Sequence, residues 1–595
     1  MLLNNSVLNL SILLLLFLVL FFLKNLMFRK SKLFTSESFF LTYIILVSFI
    51  SLFFAKLITV NILTLLLICF YMIYLKQNRK NQSNFILNQY ENSNFIHITL
   101  VFIFSFIYFN FFTYFLHDHF FYAKLSQSLI KTGVENINSL YQDFPIQKKI
   151  MLYHYTDLWL NGFVSHLFKI NPVLSLNHII YPFLLTIFFW IVYDFLLIHF
   201  YSTKAFFISL FIVFGSTIVC FPILTLEQGE GAFWHHSFPH ITSFKSLTLY
   251  PSILLLFHNI LNKRYVEGIF YALICILQSV TLFPSIFISI NLLLFIHLIL
   301  SKNKFAFIKY LVFFNLIILC LFGFVFFVNM NSSSVNNSTI EHYIPSVSYL
   351  TTNYESYFQK FIDFLLYPFY LFPLAVIGIL FLYRKAYSIL FLFLVIFSGL
   401  FFSVLFEKFH NSIQSYSIIL PIVMIYFLIE LFLLNNKIIS RSFFLLLFLF
   451  SFLNLKNNSY FSTGNIQLSS FDKKIFDFSK TKIRNNQWLY YSLEPYSTWM
   501  YSANICRSPL ILNSDAKMGL EIQPFFSANL TDYLNKNPDY PLNNSIKRKN
   551  IFTYLKKYSV KYIFIENIDS VDFHLSKYLK PELVENKRGI WKIIN

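Results

Sequence analysis

The sequence predicts a mainly α-helical, polytopic membrane protein of about fourteen spans with a small extracytoplasmic α/β domain at its C-terminal end. Three observations lead to this prediction. Of the 595 residues, 57% are hydrophobic and only 12% are charged, about half the charged fraction of a soluble domain. The apolar residues gather in repeated runs of about 20, long enough to cross ~30 Å of hydrocarbon. After residue 455 the composition becomes polar.

The apolar runs are separated by short polar segments, and the divisions within 39–75 and 266–300 are the least distinct. The first run has no basic segment before it and no small-residue cleavage site after it. We therefore expect it to be a retained helix and not a signal peptide. The predicted spans are 7–23, 39–55, 57–75, 96–115, 175–198, 205–223, 246–260, 266–281, 283–300, 305–328, 362–382, 386–406, 416–434 and 442–455.

The formal net charge of +19 is spread over loops between spans, so it indicates topology and not nucleic-acid binding. If the N-terminus is outside, every predicted inner loop is basic, as the positive-inside rule requires. The sequence thus predicts a multi-pass protein of the cell (inner, cytoplasmic) membrane, surrounded by membrane lipids. The basic residues of these inner loops are Lys24, Arg29, Lys30, Lys32, Lys76, Arg79, Lys80, Lys204, Lys263, Arg264, Lys302, Lys304, Arg384, Lys385, Lys437 and Arg441.

This topology divides the chain into a membrane domain, residues 1–455, and an extracytoplasmic domain, residues 456–595. In the second domain, Tyr562–Glu566 and 589–594 have the apolar pattern of buried strands. Aromatic residues between 488 and 501 fit strand-core packing better than glycan binding. The five cysteines show no CxxC spacing, so neither a disulfide framework nor a zinc site is indicated.

The first large outer loop, 116–174, begins with HDHFFYAKLSQSLIKTGVEN, directly after an apolar run. A helix that begins near His117 places Asp118 and Tyr122 on one face, with Leu125 and Leu129 continuing the pattern. Such a helix would lie along the membrane interface, with Asp118 at the boundary between lipid and water. A carboxylate that loses water there becomes more basic, which suits a general base. The alternative is that these charges only end one helix and cap the next.

A second cluster, YHYTDLW, lies in the same outer loop. His154 and Asp157 are three residues apart, so a helix would place both on one face. They would hydrogen-bond a sugar or acceptor, or form a structural pair inside the bundle.

A third cluster, EQGEGAFWHHSFPH, lies in the outer loop 224–245. Its glycines let the backbone approach a ligand closely, and a solvated loop is the alternative. Lys245, where the chain re-enters the membrane, suits a lipid phosphate, although snorkelling explains it equally well. Three such clusters on one predicted membrane face, in a chain with few charges, indicate a shared site. The candidate substrate-binding residues of this loop are Glu227, Glu230, Trp234, His235 and His236.

The order of these segments resembles the GT-C superfamily of integral-membrane glycosyltransferases, which use polyprenyl-phosphate sugars. The resemblance rests on Asp118-x-x-x-Tyr122, Gly133, the YHYTDLW segment, the many spans and the tail segment LKKYSVKYIFI. It covers about residues 96–260 and part of the tail. It implies that Asp118 is the catalytic base. Many members have paired acidic residues at this position, whereas this chain has HDH.

The histidines on either side of Asp118 are candidate metal ligands. His117 and His119 would bind a divalent cation together with Asp118 or Glu227, because imidazole and carboxylate groups suit several metals. The alternative is that both are interfacial histidines, hydrogen-bonded to lipid head groups or to the backbone.

The function expected from these features is inverting transfer of a sugar from a polyprenyl-phosphate donor to a glycan, lipid or protein acceptor outside the membrane. A transporter or flippase is the alternative from another class. Such proteins usually place ionisable residues at mid-membrane, often in related repeats. A polymerase of lipid-linked saccharides and a non-catalytic assembly protein are the remaining alternatives.

Overall fold

The structure is a computed structural model that describes most of the first 330 residues and four shorter stretches of the rest. The described residues are 2–28, 35–77, 94–111, 117–135, 155–210, 247–301, 304–330, 386–405, 470–482, 488–491 and 560–594, with a few isolated positions between 212 and 555.

The described part of the membrane domain is built from helices, as the sequence predicts. A π-helical turn, Leu176–Ile180, and a 3₁₀ turn, Val280–Leu282, interrupt them. The helices are α1 (Leu2–Phe28), α2 (Thr35–Phe54), α3 (Val60–Gln77), α4 (Asn94–Phe111), α5 (His117–Thr132), α6 (Thr156–Phe168), α7 (Pro172–Ser175), α8 (Tyr181–Leu197), α9 (Ser202–Leu210), α10 (Leu249–Leu261), α11 (Tyr265–Gln278), α12 (Phe283–Leu300), α13 (Lys304–Met330) and α14 (Ala386–Leu405).

Six helical segments within the described residues are long and apolar enough to cross a membrane. Several shorter apolar helices, among them α10 and α11, lie beside them. A membrane protein is therefore indicated, as predicted. The predicted spans 362–382 and 442–455 lie outside the described residues, and 416–434 is described only at isolated positions. The six segments are Ser6–Phe28, Thr35–Phe54, Val60–Gln77, Pro172–Leu197, Val280–Leu300 and Lys304–Val328.

The structure divides both apolar stretches whose boundaries the sequence left indistinct. The first separates into α2 and α3 at residues 55–59. The second separates at Ser279, whose extended backbone (φ −156°, ψ 110°) ends α11. Pro284 lies in the first turn of the following helix, α12. A proline is tolerated there because the first amides of a helix have no partner within it.

The core of the bundle forms around α8. The most apolar part of Pro172–Leu197 is wholly buried, whereas only 17% of that part of Lys304–Val328 is buried, so α13 lies at the rim of the described bundle. Phe17 of α1 contacts Phe39 of α2, Phe102 of α4 and Phe183 of α8, with ring centroids 4.9–5.3 Å apart. Aromatic rings at these separations pack favourably beyond their buried area, so the phenylalanines tie four helices together.

Polar contacts join helix ends that the sequence predicts to lie on the same side of the membrane. At the predicted inner end, the backbone N–H of Ser36 donates to the Asp194 carboxylate at 3.0 Å. The Tyr271 hydroxyl donates to Glu37 at 2.6 Å. These contacts connect the start of α2 with the end of α8 and with α11. The pairing agrees with the up-and-down order that the loop charges predict.

The described part of the C-terminal region is a four-stranded sheet with strand order β1-β2-β4-β3. Strands β1 and β2 are parallel and the other pairs are antiparallel. The predicted strands at 562–566 and 589–594 are confirmed. The strands are β1 (Trp488–Tyr491), β2 (Tyr562–Ile565), β3 (Leu579–Glu585) and β4 (Arg588–Ile593).

One helix, α15 (Ser470–Lys482), covers this sheet through a small apolar core. Phe471 and Ile475 of α15 pack with Trp488, Phe564 and Ile590 of the strands. The buried Trp488 confirms strand-core packing for that aromatic residue, since its side chain is only 1% exposed.

Candidate functional site

The helix α5 begins at His117, as the sequence predicts, and Asp118 lies in its first turn. Of the residues predicted to share its face, Tyr122, Leu125 and Leu129 are buried. Lys124 and Ser126 are buried as well, so the middle of α5 is covered on more than one side. A helix lying on the membrane surface would keep a polar face toward water. In α5, no side chain that the structure describes, all of them at Tyr122 or later, is exposed.

Helix α5 packs very closely against α6 because α6 contains a glycine at the contact. A Cβ atom at Gly162 would lie 2.5 Å from the carbonyl oxygen of Ser126 and 2.7 Å from Cγ1 of Ile130. Next to it, the Asn161 side-chain amide donates to the Ser126 hydroxyl at 3.1 Å. The same amide donates to the carbonyl oxygen of Pro172 at 3.1 Å. These contacts fix α5 to α6 and to the start of α7.

The other end of α5 is fixed to the turn between α2 and α3. Gly133 ends the helix in the left-handed region, with φ +68°, where glycine is favoured. Its carbonyl oxygen accepts a 2.9 Å hydrogen bond from the backbone N–H of Lys56. A Cβ atom at Gly133 would lie 2.5 Å from the carbonyl oxygen of Phe54. The glycine that contributes to the family resemblance therefore has a structural role here.

Two residues after Gly133, the buried carboxylate of Glu135 connects three elements. Its Oε2 accepts from the backbone N–H of Val60, at the first residue of α3. Its Oε1 accepts from the Asn61 side-chain amide at 3.2 Å and from the Trp159 indole N–H of α6 at 2.7 Å. Burial raises the pKa of Glu135 to about 7, and the hydrogen bonds from Val60, Trp159 and Asn61 oppose this rise. We call Glu135, Val60, Asn61 and Trp159 the Glu135 junction.

A chain of buried polar side chains extends from the Glu135 junction into the bundle. The Thr156 hydroxyl donates to Oδ1 of Asn61 at 3.0 Å. The Gln278 side-chain amide lies 3.5 Å from the Thr156 hydroxyl oxygen, and the Ser252 hydroxyl donates to Oε1 of Gln278 at 3.2 Å. Helices α3, α6, α10 and α11 thus meet at the same end as the Glu135 junction. All four helix ends are predicted to face outward.

Asp157, like Tyr122, is a predicted site residue whose side chain the structure describes. It lies in the first turn of α6 and is only 1% exposed. It directly follows Thr156 of the polar chain and lies two residues before Trp159. A carboxylate at a helix N-terminus is favoured by the helix dipole. Asp157 is therefore buried at the outer end that also carries the Glu135 junction.

The remaining predicted site residues are not placed by the structure. The side chains of His117, Asp118 and His119 are outside the described set, although their backbone belongs to α5. Whether the three clusters line one cavity stays a prediction. Within the described residues, no three His, Cys, Asp or Glu side chains are grouped to hold a metal ion. The residues wholly outside the described ranges are His154, Glu227, Glu230, Trp234, His235, His236 and Lys245.

Sequence reasoning missed the Glu135 junction, and it invoked a helix at His154 and Asp157 without recognising the extent of α6. The segment KTGVE contained a usable signal, because a glycine after a basic helix end marks a C-terminus, and the next polar residue then lies near that end. Nothing in the sequence marks Val60 as its partner. The apolar residues of α6 are interrupted by Asn161, Gly162 and Ser165, and the run is too short for a span.

No protein-family model matches the chain, and no curated protein is similar to it at a significant level. The described part of the site is a framework of buried hydrogen bonds and close helix contacts. It holds two packed helices, one with Asp118 in its first turn and one with Asp157 in its first turn.

Proposed function

We propose that the protein is a multi-pass membrane glycosyltransferase that moves a sugar from a polyprenyl-phosphate donor to a glycan, lipid or protein acceptor on the extracytoplasmic face. The observation that carries the proposal is the fixed position of α5. Its middle is buried, its side is locked to α6 at Gly162, and its end is bonded to the α2–α3 turn at Gly133. A loop that only connected two spans would not need this framework.

In this proposal, the protein crosses the cell (inner, cytoplasmic) membrane about fourteen times, and its C-terminal α/β domain is extracytoplasmic. The grouping of helix ends into two sets supports this up-and-down arrangement. The proposed site occupies the outer end, in loops 116–174 and 224–245, where the donor's phosphate reaches the lipid–water boundary.

Asp118 is the proposed catalytic base. Its carboxylate takes the proton of the acceptor hydroxyl while that oxygen attacks the anomeric carbon of the donor sugar. The bond between the anomeric carbon and the phosphate oxygen breaks, and polyprenyl phosphate leaves with the electron pair. A single displacement inverts the anomeric centre. General-base catalysis of this kind typically contributes about 10²–10⁴ in rate.

The other candidate residues have binding roles in this proposal. Tyr122, His154 and Asp157 position the sugar or acceptor from the first loop. Lys245 neutralises the departing phosphate. A divalent cation held by His117 and His119 would add positive charge at the same place. The second loop adds the residues Glu227, Glu230, Trp234, His235 and His236 as further sugar contacts.

The distribution of carboxylates favours this proposal over a transporter or flippase. Within the described helices of the membrane domain, Glu37, Asp118, Asp157, Asp194 and Glu267 each lie in the first or last turn of a helix. Transporters usually place ionisable side chains near the membrane midplane, where they couple binding to transport. Carboxylates at helix ends suit chemistry at the membrane surface instead.

The test is product formation by Asp118→Asn in membranes supplied with polyprenyl-phosphate sugars. The variant keeps the shape of the side chain but cannot take up the acceptor's proton, so transfer should fall by about 10²–10⁴ at unchanged expression. Glu582→Gln, which removes an exposed carboxylate of β3, is the matched control and should leave transfer unchanged. Full activity of Asp118→Asn would refute the proposed base and favour the transporter or assembly function.

A further inference from the structure

We propose that Glu135 is a positioning residue: through the Glu135 junction it sets the tilt of the α5–α6 pair against α3, and thereby places Asp118. This inference rests on the proposed function, because it assigns a residue outside the catalytic set to the same site. Glu135 lies in none of the predicted spans and in none of the three ionisable clusters. Its role follows from what its carboxylate touches.

The carboxylate of Glu135 receives hydrogen bonds from groups on two different helices. Val60 and Asn61 belong to the start of α3, and Trp159 belongs to α6. Glu135 itself follows α5 by three residues and is only 3% exposed. One side chain therefore ties the end of α5 to both neighbours. Because the site is buried, no water replaces a bond that is lost there, and an unmatched donor is costly.

The two attachments of α5 constrain different movements. The close contact at Gly162 and the bond from Asn161 to Ser126 hold α5 against α6. The Glu135 junction, together with the Lys56–Gly133 bond, holds the α5–α6 pair against α3. Loss of the Glu135 carboxylate therefore leaves α5 and α6 together but loosens the pair relative to α3.

The length of α5 converts a small movement at Glu135 into a large one at Asp118. Helix α5 has 16 residues, which correspond to about 24 Å along its axis at ~1.5 Å per residue. A tilt of roughly 10° about the Gly133 end would move the first turn of such a helix by about 4 Å. Misplacing a reacting group by ~1 Å can cost about 10²-fold in rate. A residue far from the chemistry thus controls it through the helix.

The movement can be measured directly, without an activity assay. In a full-length variant whose five cysteines are replaced by serine, spin labels at Phe120→Cys in α5 and Leu66→Cys in α3 report the distance between these helices. Leu66 is 52% exposed, so it accepts a label. A second pair, Phe120→Cys and Leu167→Cys in α6, reports the contact that should not change; Leu167 is 55% exposed.

Glu135→Gln should broaden the distance distribution from α5 to α3 at least twofold in width, while the distribution from α5 to α6 stays narrow. The matched control is Glu37→Gln, which removes another buried carboxylate with a short hydrogen bond, from Tyr271, at the opposite end of the bundle. It should leave both distributions unchanged. Trp159→Phe removes only one bond of the Glu135 junction and gives a smaller broadening; it replaces Glu135→Gln if that variant does not fold.

Activity measured on the same proteins separates this inference from the proposed function. If Glu135 positions Asp118, Glu135→Gln lowers kcat about tenfold or more with little change in KM, and Glu135→Asp restores part of it. Asp118→Asn should lose activity with both distance distributions unchanged. An unchanged α5–α3 distribution in Glu135→Gln would overturn the positioning role. Full activity of Asp118→Asn would overturn only the proposed function.

Discussion

The indole N–H of Trp159 donates a 2.7 Å hydrogen bond to Oε1 of Glu135, and both side chains are buried where α3, α5 and α6 meet. An indole N–H is a donor only, and so is a backbone N–H. Each partner described for Glu135 donates to it and so favours the ionised carboxylate, while burial favours the neutral acid. The two effects leave this carboxyl group near its midpoint at neutral pH.

The first prediction is that Glu135 makes the stability of the fold fall as pH rises toward neutrality. Its pKa is raised from 4.5 in the unfolded chain to about 7 in the folded protein. The folded state thus binds the proton more tightly, and the contribution is fully present below pH 4.5 and lost as pH rises through 7. At ~1.4 kcal/mol per pKa unit, this shift changes the free energy of unfolding by about 3 kcal/mol.

Thermal unfolding in detergent between pH 4.5 and 8 provides the measurement. The apparent Tm of the wild-type protein should fall across this range by more than that of Glu135→Gln, which cannot titrate. Glu582→Gln, at an exposed carboxylate, should keep the wild-type slope. Equal slopes for Glu135→Gln and the wild type would mean that Glu135 does not titrate in this range.

The second prediction compares two helical glycines. Gly162→Ala forces a Cβ atom to within 2.5 Å of the Ser126 carbonyl oxygen, and overpacking of this kind typically costs about 1–3 kcal/mol. Gly323→Ala in α13 adds a Cβ atom that meets nothing within 4 Å, and alanine is favoured over glycine in a helix by about 1 kcal/mol. Apparent Tm values should therefore fall for Gly162→Ala and stay level or rise for Gly323→Ala. The opposite order would exclude a tight α5–α6 contact.

Hydrophobic run length and loop charge were sufficient to predict which described segments form long helices, because both depend on residues close in sequence. The start of α5 at His117 and the strands at 562–566 and 589–594 were also predictable from local pattern. The enclosure of α5 was not, because it depends on Gly162, 30 residues beyond the helix. A glycine in α6 has no local signature that distinguishes a close helix contact from a weak helix position.

The Glu135 junction could not be predicted either, because it also depends on residues that are far apart in the sequence. Its partners Val60 and Asn61 lie 75 and 74 residues earlier in the chain, and the sequence does not show which helix end will meet it. The HDH and YHYTDLW segments are conspicuous in the sequence because charged and aromatic residues are adjacent or close together in them. A single glutamate two residues after a glycine carries no such signal, although in the fold Glu135 accepts hydrogen bonds from two other helices.

The third prediction concerns Asp157, which is buried in the first turn of α6. If it positions the substrate and takes no proton, Asp157→Asn should raise KM more than it lowers kcat. Asp118→Asn should do the reverse. The measurement is initial rates of glycan transfer over a range of donor concentrations at matched expression. A large loss of kcat with unchanged KM in Asp157→Asn would instead make Asp157 a candidate base.

The last prediction concerns the side of the membrane on which the Glu135 junction lies. The exposed Ile58 belongs to the α2–α3 turn, which contacts the end of α5, and the exposed Asn262 belongs to the α10–α11 turn at the opposite end. In a cysteine-free background, Ile58→Cys should react with an impermeant maleimide on intact cells, whereas Asn262→Cys should react only after permeabilisation. Cysteines at positions 120 and 540 should behave like Ile58→Cys, and one at position 80 like Asn262→Cys.

This labelling decides more than orientation, because lipid-linked sugars are used at a defined face of the membrane. Labelling of Asn262→Cys and of position 80 in intact cells, with protection of Ile58→Cys, would place α5 and the Glu135 junction on the cytoplasmic side. The positive-inside assignment would then be wrong, since the turn that contains Lys263 and Arg264 would lie outside. The expected pattern instead keeps Asp118, Asp157 and the junction together on the extracytoplasmic face, where the proposed acceptor is found.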